Sequence, residues 1–284
     1  MEPKLRHSGA EIFIPDRKPV DKGMTRTTHL AIAAHPDDME ILAYDGILKC
    51  FESDKEWFFG IIVTDGGGSP RGGPYTNYSD EEMKKVRRKE QKKAAVIGEY
   101  AGVAFLNYPS SEVRDPKNPN PKEDIKELLT LAKPSVIYTH NLADKHNTHV
   151  AVALRTIEGL RELPEELKPS HLYGCEVWGG LDWLVDEDKV VFDVSAHENL
   201  ASSLLGVYDS QIWGGKKYDL ATLGRRRANA TYYASHAVDV AASMSFNMDL
   251  TPLIKDPTLD IREFILIHIN RFAEDVKTRI EELL

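Results

Sequence analysis

The chain has 284 residues, with 36 Lys and Arg against 45 Asp and Glu, a formal net charge of −9 and 42% apolar residues. That is enough for one sizeable core without covalent staples, and the acidic balance argues against a nucleic-acid partner, because phosphate binding needs a basic footprint. Only two cysteines are present, Cys50 and Cys175, which excludes a disulfide framework and a CxxC zinc site, so any metal must rest on histidine and carboxylate.

Residues 1–27 show no clear periodicity and read as an extended N-terminal arm, polar and without the apolar run of a signal peptide. Leu30–Ala34 is a tight apolar run and reads as a buried strand, ended by His35-Pro36-Asp37-Asp38. A helical pattern follows to about Cys50, with Ile41, Leu42, Tyr44, Ile47 and Leu48 largely on one side. Trp57–Thr64 is a second strand, continuously apolar and therefore covered on both faces. Asp65–Pro74 is a Gly-rich loop, and Ser79 or Asp80 caps a long helix to about Ile97. Lys84, Lys85, Arg87, Arg88, Lys89, Lys92 and Lys93 make that helix basic, a pattern that reads as a solvated face.

Val103–Leu106 is a third strand. Four prolines make 109–121 a loop, Glu123–Ala132 is helical, and Ser135–Thr139 is a fourth strand. A loop with two histidines leads into a helix over His149–Leu160. Further strands are expected at Leu172–Trp178 and Val190–Val194, with helices over Ala196–Val207, 217–234 and 260–284. The alternation of strand and helix implies a parallel sheet with right-handed crossovers. The expected fold is an α/β, Rossmann-like three-layer sandwich, a mostly parallel sheet flanked by helices, as a single domain over 28–284. No stretch reaches the ~18 apolar residues of a membrane span, so the expectation is a soluble, reduced, cytoplasmic protein with no membrane partner.

Sites in open α/β sheets form outside the carboxyl ends of the strands. Two polar clusters lie at such ends: His35-Pro36-Asp37-Asp38 after the first strand and Asp144-Lys145-His146-Asn147-Thr148-His149 after the fourth. Zinc accepts imidazole nitrogen and carboxylate oxygen, and a catalytic zinc keeps one position open. His35, Asp38 and His149 meet that need, which leaves Asp37 as a carboxylate beside the metal but free of it, the place for a general base. Iron(II) and other divalent ions fit the same ligands. No phosphate-binding loop is present: no Gly-Lys-Ser/Thr follows Gly66–Gly73, and Arg71 breaks a dinucleotide fingerprint. No G-x-S-x-G elbow offers a serine nucleophile. Trp178 offers a stacking face for a sugar. His236 reads as a surface or packed residue and His268 as a packed helix residue.

Ala34-His35-Pro36-Asp37-Asp38-Met39-Glu40 resembles the AHPDD-x-E signature of the PIG-L/LmbE-like zinc-dependent deacetylases. His146-Asn147-Thr148-His149 resembles that family's second motif, H-P-D-H, with both histidines kept and the middle pair replaced. Arg87-Arg88-Lys89-Glu90 resembles its R-x-x-E helix and Glu176-Val177-Trp178 a later E-V-W element. The likeness covers about 28–180. It implies a deacetylase that removes an acetyl or acyl group from the nitrogen of an N-acetylated sugar or sugar conjugate. It also implies His35, Asp38 and His149 as zinc ligands, Asp37 as general base, His146 at the reacting carbonyl or the leaving amine, Arg87 on the substrate, and assembly into a homo-oligomer, a trimer or hexamer. The family's Gly-Glu pair in the loop after the second strand is replaced by Thr64-Asp65-Gly66-Gly67-Gly68-Ser69, which makes Asp65 the candidate there and implies altered substrate recognition. Glu40, last in the first motif, is expected to orient a metal ligand. The relaxed loop keeps open a zinc amidase or esterase on a non-sugar substrate; a non-catalytic Rossmann-like binding protein is the alternative from another class, and it would need a phosphate-cradling helix start where His35-Pro36-Asp37-Asp38 stands.

Overall fold

The computed structural model describes residues 3–284. In chain order the elements are β1 (Glu11–Phe13), α1 (Val20–Thr25), β2 (His29–Ala33), α2 (Asp38–Leu42), α3 (Tyr44–Cys50), β3 (Phe58–Thr64), α4 (Asp80–Ile97), β4 (Gly102–Tyr108), α5 (Ser110–Arg114), α6 (Asn120–Ala132), β5 (Val136–His140), α7 (Asn147–Glu162), β6 (His171–Cys175), β7 (Lys189–Asp193), α8 (Glu198–Gly206), α9 (Asp209–Gln211), α10 (Tyr218–Tyr232), β8 (Met244–Asp249), α11 (Thr251–Lys255) and α12 (Ile261–Leu283).

The strands form one sheet in the order β1-β4-β3-β2-β5-β6-β8-β7. The central run β4-β3-β2-β5-β6 is parallel throughout. β1 closes one edge antiparallel to β4. At the other end β8 runs antiparallel between β6 and β7. This is a single-domain α/β sandwich with a mostly parallel sheet, as the strand–helix alternation predicts.

The apolar runs read as buried strands do divide between two faces. Leu30 and Ile32 of β2 join Phe59, Ile61 and Val63 of β3 in a core shared with Ile125, Leu128 and Leu129 of α6 and Val152, Ile157 and Leu160 of α7. Ala31 and Ala33 point the other way, with Phe58 and Ile62, onto Met39, Ile47, Ala94, Ala95, Leu200 and Leu204 from α2, α3, α4 and α8. Each large apolar side chain contributes roughly 1.5–3 kcal/mol when fully buried. α2 packs its Met39 onto β3: a Cβ on Gly60 would stand 2.5 Å from the end of the Met39 side chain, which would have to shift.

Local chemistry explains several boundaries. Ser79 caps α4 with a capping box, its hydroxyl accepting from the Glu82 N–H while the Glu82 carboxylate accepts from the Ser79 N–H at 2.8 Å. The helix expected over 38–50 is two helices, broken at Ala43 (φ −121°). The proline-rich 109–121 segment is not all loop, because Pro109 precedes the short α5, and α6 starts at Asn120 with Pro121 inside its first turn, where a missing N–H costs nothing.

The segment read as an arm supplies β1 and α1. Arg6 donates to Asp124 at 2.8 Å, and Glu11 pairs with Arg88 and Lys92, which fastens the segment to α6 and α4. β8 escapes the sequence pattern: its buried residues Met244, Asn247 and Met248 do not alternate cleanly. No residue of α12 is buried. Its first half leans on the body, with His268 Nδ1 2.8 Å from Asp188, while Ile280 and Leu283 stay exposed. No helix of the described residues is long and apolar enough to cross a membrane.

A candidate metal centre at the strand switch point

From β2 the chain winds outward through β3 and β4, then returns to place β5 on the other side of β2. The carboxyl ends of β2 and β5 therefore stand side by side where the winding reverses, the position at which such sheets open a crevice. The first polar cluster leaves β2 there and the second leaves β5. They meet in a cavity of about 670 Å³ whose wall includes His35, Asp37, Asp38, Arg87, His146, His149 and Trp178.

The β2 cluster is held in a tight turn. Asp38 Oδ2 accepts from the His35 backbone N–H at 2.8 Å and lies 3.1 Å from His35 Nδ1. The turn forces Asp37 to φ 94°, left-handed backbone that Asp tolerates better than most residues. Asp38 Oδ2 is also 3.5 Å from His149 Nε2. One ligand atom each from His35, Asp38 and His149 lies within 4.8 Å of the others. Two of those separations match the roughly 3.3 Å edges of a tetrahedron with metal–ligand bonds of about 2.0–2.1 Å.

His149 is oriented from behind, with Nδ1 3.1 Å from Asp144 Oδ2. That is the carboxylate–histidine arrangement that fixes the tautomer and leaves Nε2 for a metal. His140, Asp144 and His149 also lie within ligand range of one another. His140 Nε2, however, accepts from the Ala34 N–H at 2.8 Å, and Asp144 is already occupied by His149 and by the His146 N–H. The residues fit a divalent ion best at His35, Asp38 and His149.

The charges support this assignment. Burial opposes the charge on Asp38, yet His149 and His35 outweigh it and carry the carboxyl well below its usual range. Burial opposes protonation of His149, but Asp38 and Asp144 raise its pKa. His140 is pushed down to about 4 by burial and by His149, so it is a neutral spacer stacked on the His149 ring at 4.0 Å.

Asp37 differs from its neighbour. Burial pushes its carboxyl well above the usual range, against the pull of Arg87. Its Oδ1 accepts from Arg87 at 3.2 Å, and its Oδ2 has no hydrogen-bond partner among the described residues. Its backbone N–H donates to Gln91 at 3.2 Å, and the Gln91 amide donates to Glu40 at 2.8 Å. Glu40 is fully buried and also accepts from Tyr100. It therefore acts through Gln91 on the backbone of Asp37, and does not orient a metal ligand directly as its place in the motif suggests.

Arg87, expected at the substrate, lines the cavity but commits its fork to the Pro36 carbonyl (2.6 Å), the Gly66 carbonyl (3.1 Å) and Asp37. The basic stretch of α4 is thus partly a set of internal struts, because Arg87 is buried and Arg88 and Lys92 hold β1. Asp65, also expected at the substrate, stands outside the cavity wall. It pairs with Lys84 at 3.0 Å and accepts from the Gly67 N–H, which shapes the Gly-rich loop. Trp178 is on the wall, edge-on to Tyr218 at 5.7 Å. His146 faces His35 edge-on at 5.2 Å, and burial lowers its pKa. His236 is exposed, away from the wall.

Gln91, Asp144, Tyr218 and Lys216 received no individual role from the sequence. Gln91 sits one helical turn beyond Arg87, a spacing that could have placed it on the same face of α4. Lys216 precedes α10 and Tyr218 begins it, far along the chain, and nothing local connects them to the motifs.

Residues 30–159 match the family described as PIG-L: GlcNAc-PI de-N-acetylase. No curated protein sequence matches the chain. Several solved structures share its fold. A conserved protein of Thermus thermophilus is 19% identical, with a TM-score of 0.60 over 82% of this chain and 99% of that one. An N,N'-diacetylchitobiose deacetylase of Pyrococcus horikoshii is 18% identical, with a TM-score of 0.61 over 87% and 92%. A 4-carboxy-2-hydroxymuconate hydratase of Pseudomonas putida is 14% identical, with a TM-score of 0.57 over 79% and 96%.

Proposed function

We propose that this protein is a metal-dependent hydrolase that removes the acetyl group from the nitrogen of an N-acetylated sugar or sugar conjugate. One observation carries the reading: a buried carboxylate with a raised pKa and a free oxygen, Asp37, stands directly beside a His2Asp ligand set on the cavity wall. The PIG-L family match and the deacetylases among the solved relatives support it.

His35, Asp38 and His149 would hold the ion, zinc by preference for two imidazoles and a carboxylate. When bound, such an ion supplies Lewis acidity and a water that ionises near neutral pH. Asp37 takes a proton from the attacking water through its free oxygen, while Arg87 holds the other oxygen still. The lowered pKa of His146 keeps its imidazole neutral, a hydrogen-bond donor suited to the oxygen that gains charge on the amide carbonyl. Asp37 then returns the proton to the nitrogen as the C–N bond breaks, giving acetate and the free amine. Trp178 and Tyr218 form an aromatic wall for the sugar ring. The exposed Ile280 and Leu283 of α12 support self-association of the chain, which sedimentation would test.

The function test is acetate release from N-acetylglucosamine conjugates by zinc-loaded protein, alongside 4-carboxy-2-hydroxymuconate as a hydration substrate. Acetate release with no hydration is the expected result. Hydration alone would overturn the reading in favour of the activity that one relative's description carries.

A further inference from the structure

A second, smaller cavity lies at the opposite end of α2 from Asp38 and shares no wall residue with the first. Its volume is about 40 Å³, enough for a species a little larger than water. One face of α10 runs past both cavities. Tyr218 is on the first wall, and Thr222, Arg225, Arg226 and Asn229, at helical spacing from it, are on the second.

Arg226 is the unusual group there. It is 4% exposed and stacks on the Tyr44 ring at 4.3 Å. Its Nη2 donates to the Glu40 carbonyl at 2.7 Å and the Ile41 carbonyl at 3.3 Å, orphan carbonyls at the end of α2. Its Nη1 is buried with no hydrogen-bond partner among the described residues, and no carboxylate pairs with it. Burial pushes its pKa down to about 10, opposed only by Tyr44, so the guanidinium is charged at neutral pH without a counter-charge. Asn247 of β8 is 1% exposed and lines the same cavity. Its Oδ1 accepts from the Cys175 thiol, and its Nδ2 has no partner. The other polar groups of the wall look elsewhere. Arg225 donates to the Val177 carbonyl and Asn229 to the Met244 carbonyl. Glu176, the one carboxylate on the wall, accepts through its two oxygens from the Leu181 N–H and the Trp183 indole. Water could accept from the two free donors but would leave the buried charge uncompensated, and that charge is costly.

We propose that this cavity is a site for a small monovalent anion of chloride size, held by Arg226 Nη1 and Asn247 Nδ2. One free donor from each residue suits a halide; a carboxylate or phosphate would take both arms of the guanidinium, and one arm is already committed to α2. The volume excludes a sugar or a nucleotide. The same guanidinium caps α2, whose first residue is Asp38, so the bound anion secures the helix that presents the metal turn.

The test is thermal unfolding of the zinc-loaded protein as sodium gluconate is exchanged for sodium chloride at fixed ionic strength. Chloride is expected to raise Tm saturably, by about 2–5 °C between about 1 and 200 mM. Formate is expected to raise it less, and a larger response to formate than to chloride overturns the halide assignment. Asn247→Asp puts a carboxylate into the cavity beside Arg226. It is expected to match the chloride-saturated wild type and to lose the chloride response. All the candidate metal ligands are intact in that variant, so a response that persists belongs to the metal or the surface and sinks the proposal. A wild-type Tm indifferent to chloride does the same and makes the cavity a water site. Should Asn247→Asp fail to fold, anomalous scattering from wild-type crystals grown in sodium bromide decides. A bromide peak against Arg226 Nη1 supports the site, and peaks elsewhere only, an adventitious ion only, overturn it.

Discussion

The inner wall of the cavity and its mouth are built on opposite principles. On the inner wall Asp37, Asp38 and His149 are buried, and each is held by a second residue: Arg87 and Gln91 on Asp37, His35 on Asp38, Asp144 on His149. At the mouth Arg114, Lys145 and Lys216 are exposed and free of carboxylates. Burial raises the cost of every unpaired group, which is why each of these three has a partner and why the free Asp37 Oδ2 stands out. Water at the mouth screens the cations, so each can stand there without a carboxylate partner.

Substitutions on the wall test this contrast most severely. His149→Ala removes a ligand, and we expect loss of bound metal together with a fall in turnover of about 10³-fold or more, read by elemental analysis and acetate release. Asp37→Asn should retain the metal and lose about 10²- to 10⁴-fold in kcat. Metal loss in that variant would place Asp37 among the ligands and dissolve the distinction between it and Asp38. Asp144→Asn weakens the support of His149, with metal affinity expected to drop about 10- to 100-fold in a chelator competition. Gln91→Ala leaves the Asp37 N–H and part of Glu40 unsatisfied, at a cost of about 1–3 kcal/mol in urea unfolding, with a lower kcat and an unchanged KM. A stability loss without the kcat effect would reduce Gln91 to a packing residue. Ser79→Ala removes the α4 cap and should cost about 1 kcal/mol of stability, the smallest effect of the series and one remote from the chemistry.

The sequence was most legible where function and local geometry coincide. His35, Asp38 and His149 are recognisable because a metal demands particular residue types, and strand ends place them. Arg87 and Asp65 were harder. Both are charged groups near the site, and whether a charge faces substrate or the protein's own backbone depends on neighbours from other segments. Arg87 faces the Pro36 and Gly66 carbonyls, and Asp65 turns back to Lys84. Glu40 illustrates the same point: expected to orient a metal ligand from its place in the motif, it is fully buried and accepts from Gln91 and Tyr100.

By itself the sequence determined the parallel core, through continuous apolar strands and the helices between them, and the candidate ligands His35, Asp38 and His149, through two motifs at strand ends that the fold brings within 4.8 Å of one another. Periodicity and metal chemistry are local properties that survive in a string of letters. Only the tertiary structure decided that β1 and β8 complete the sheet, that Gln91 links Glu40 to Asp37, and that Arg114, Lys145 and Lys216 share one rim. Pairing across long separations leaves no local trace, because the free energy that selects it comes from burial and charge compensation among residues that meet only after the chain has folded.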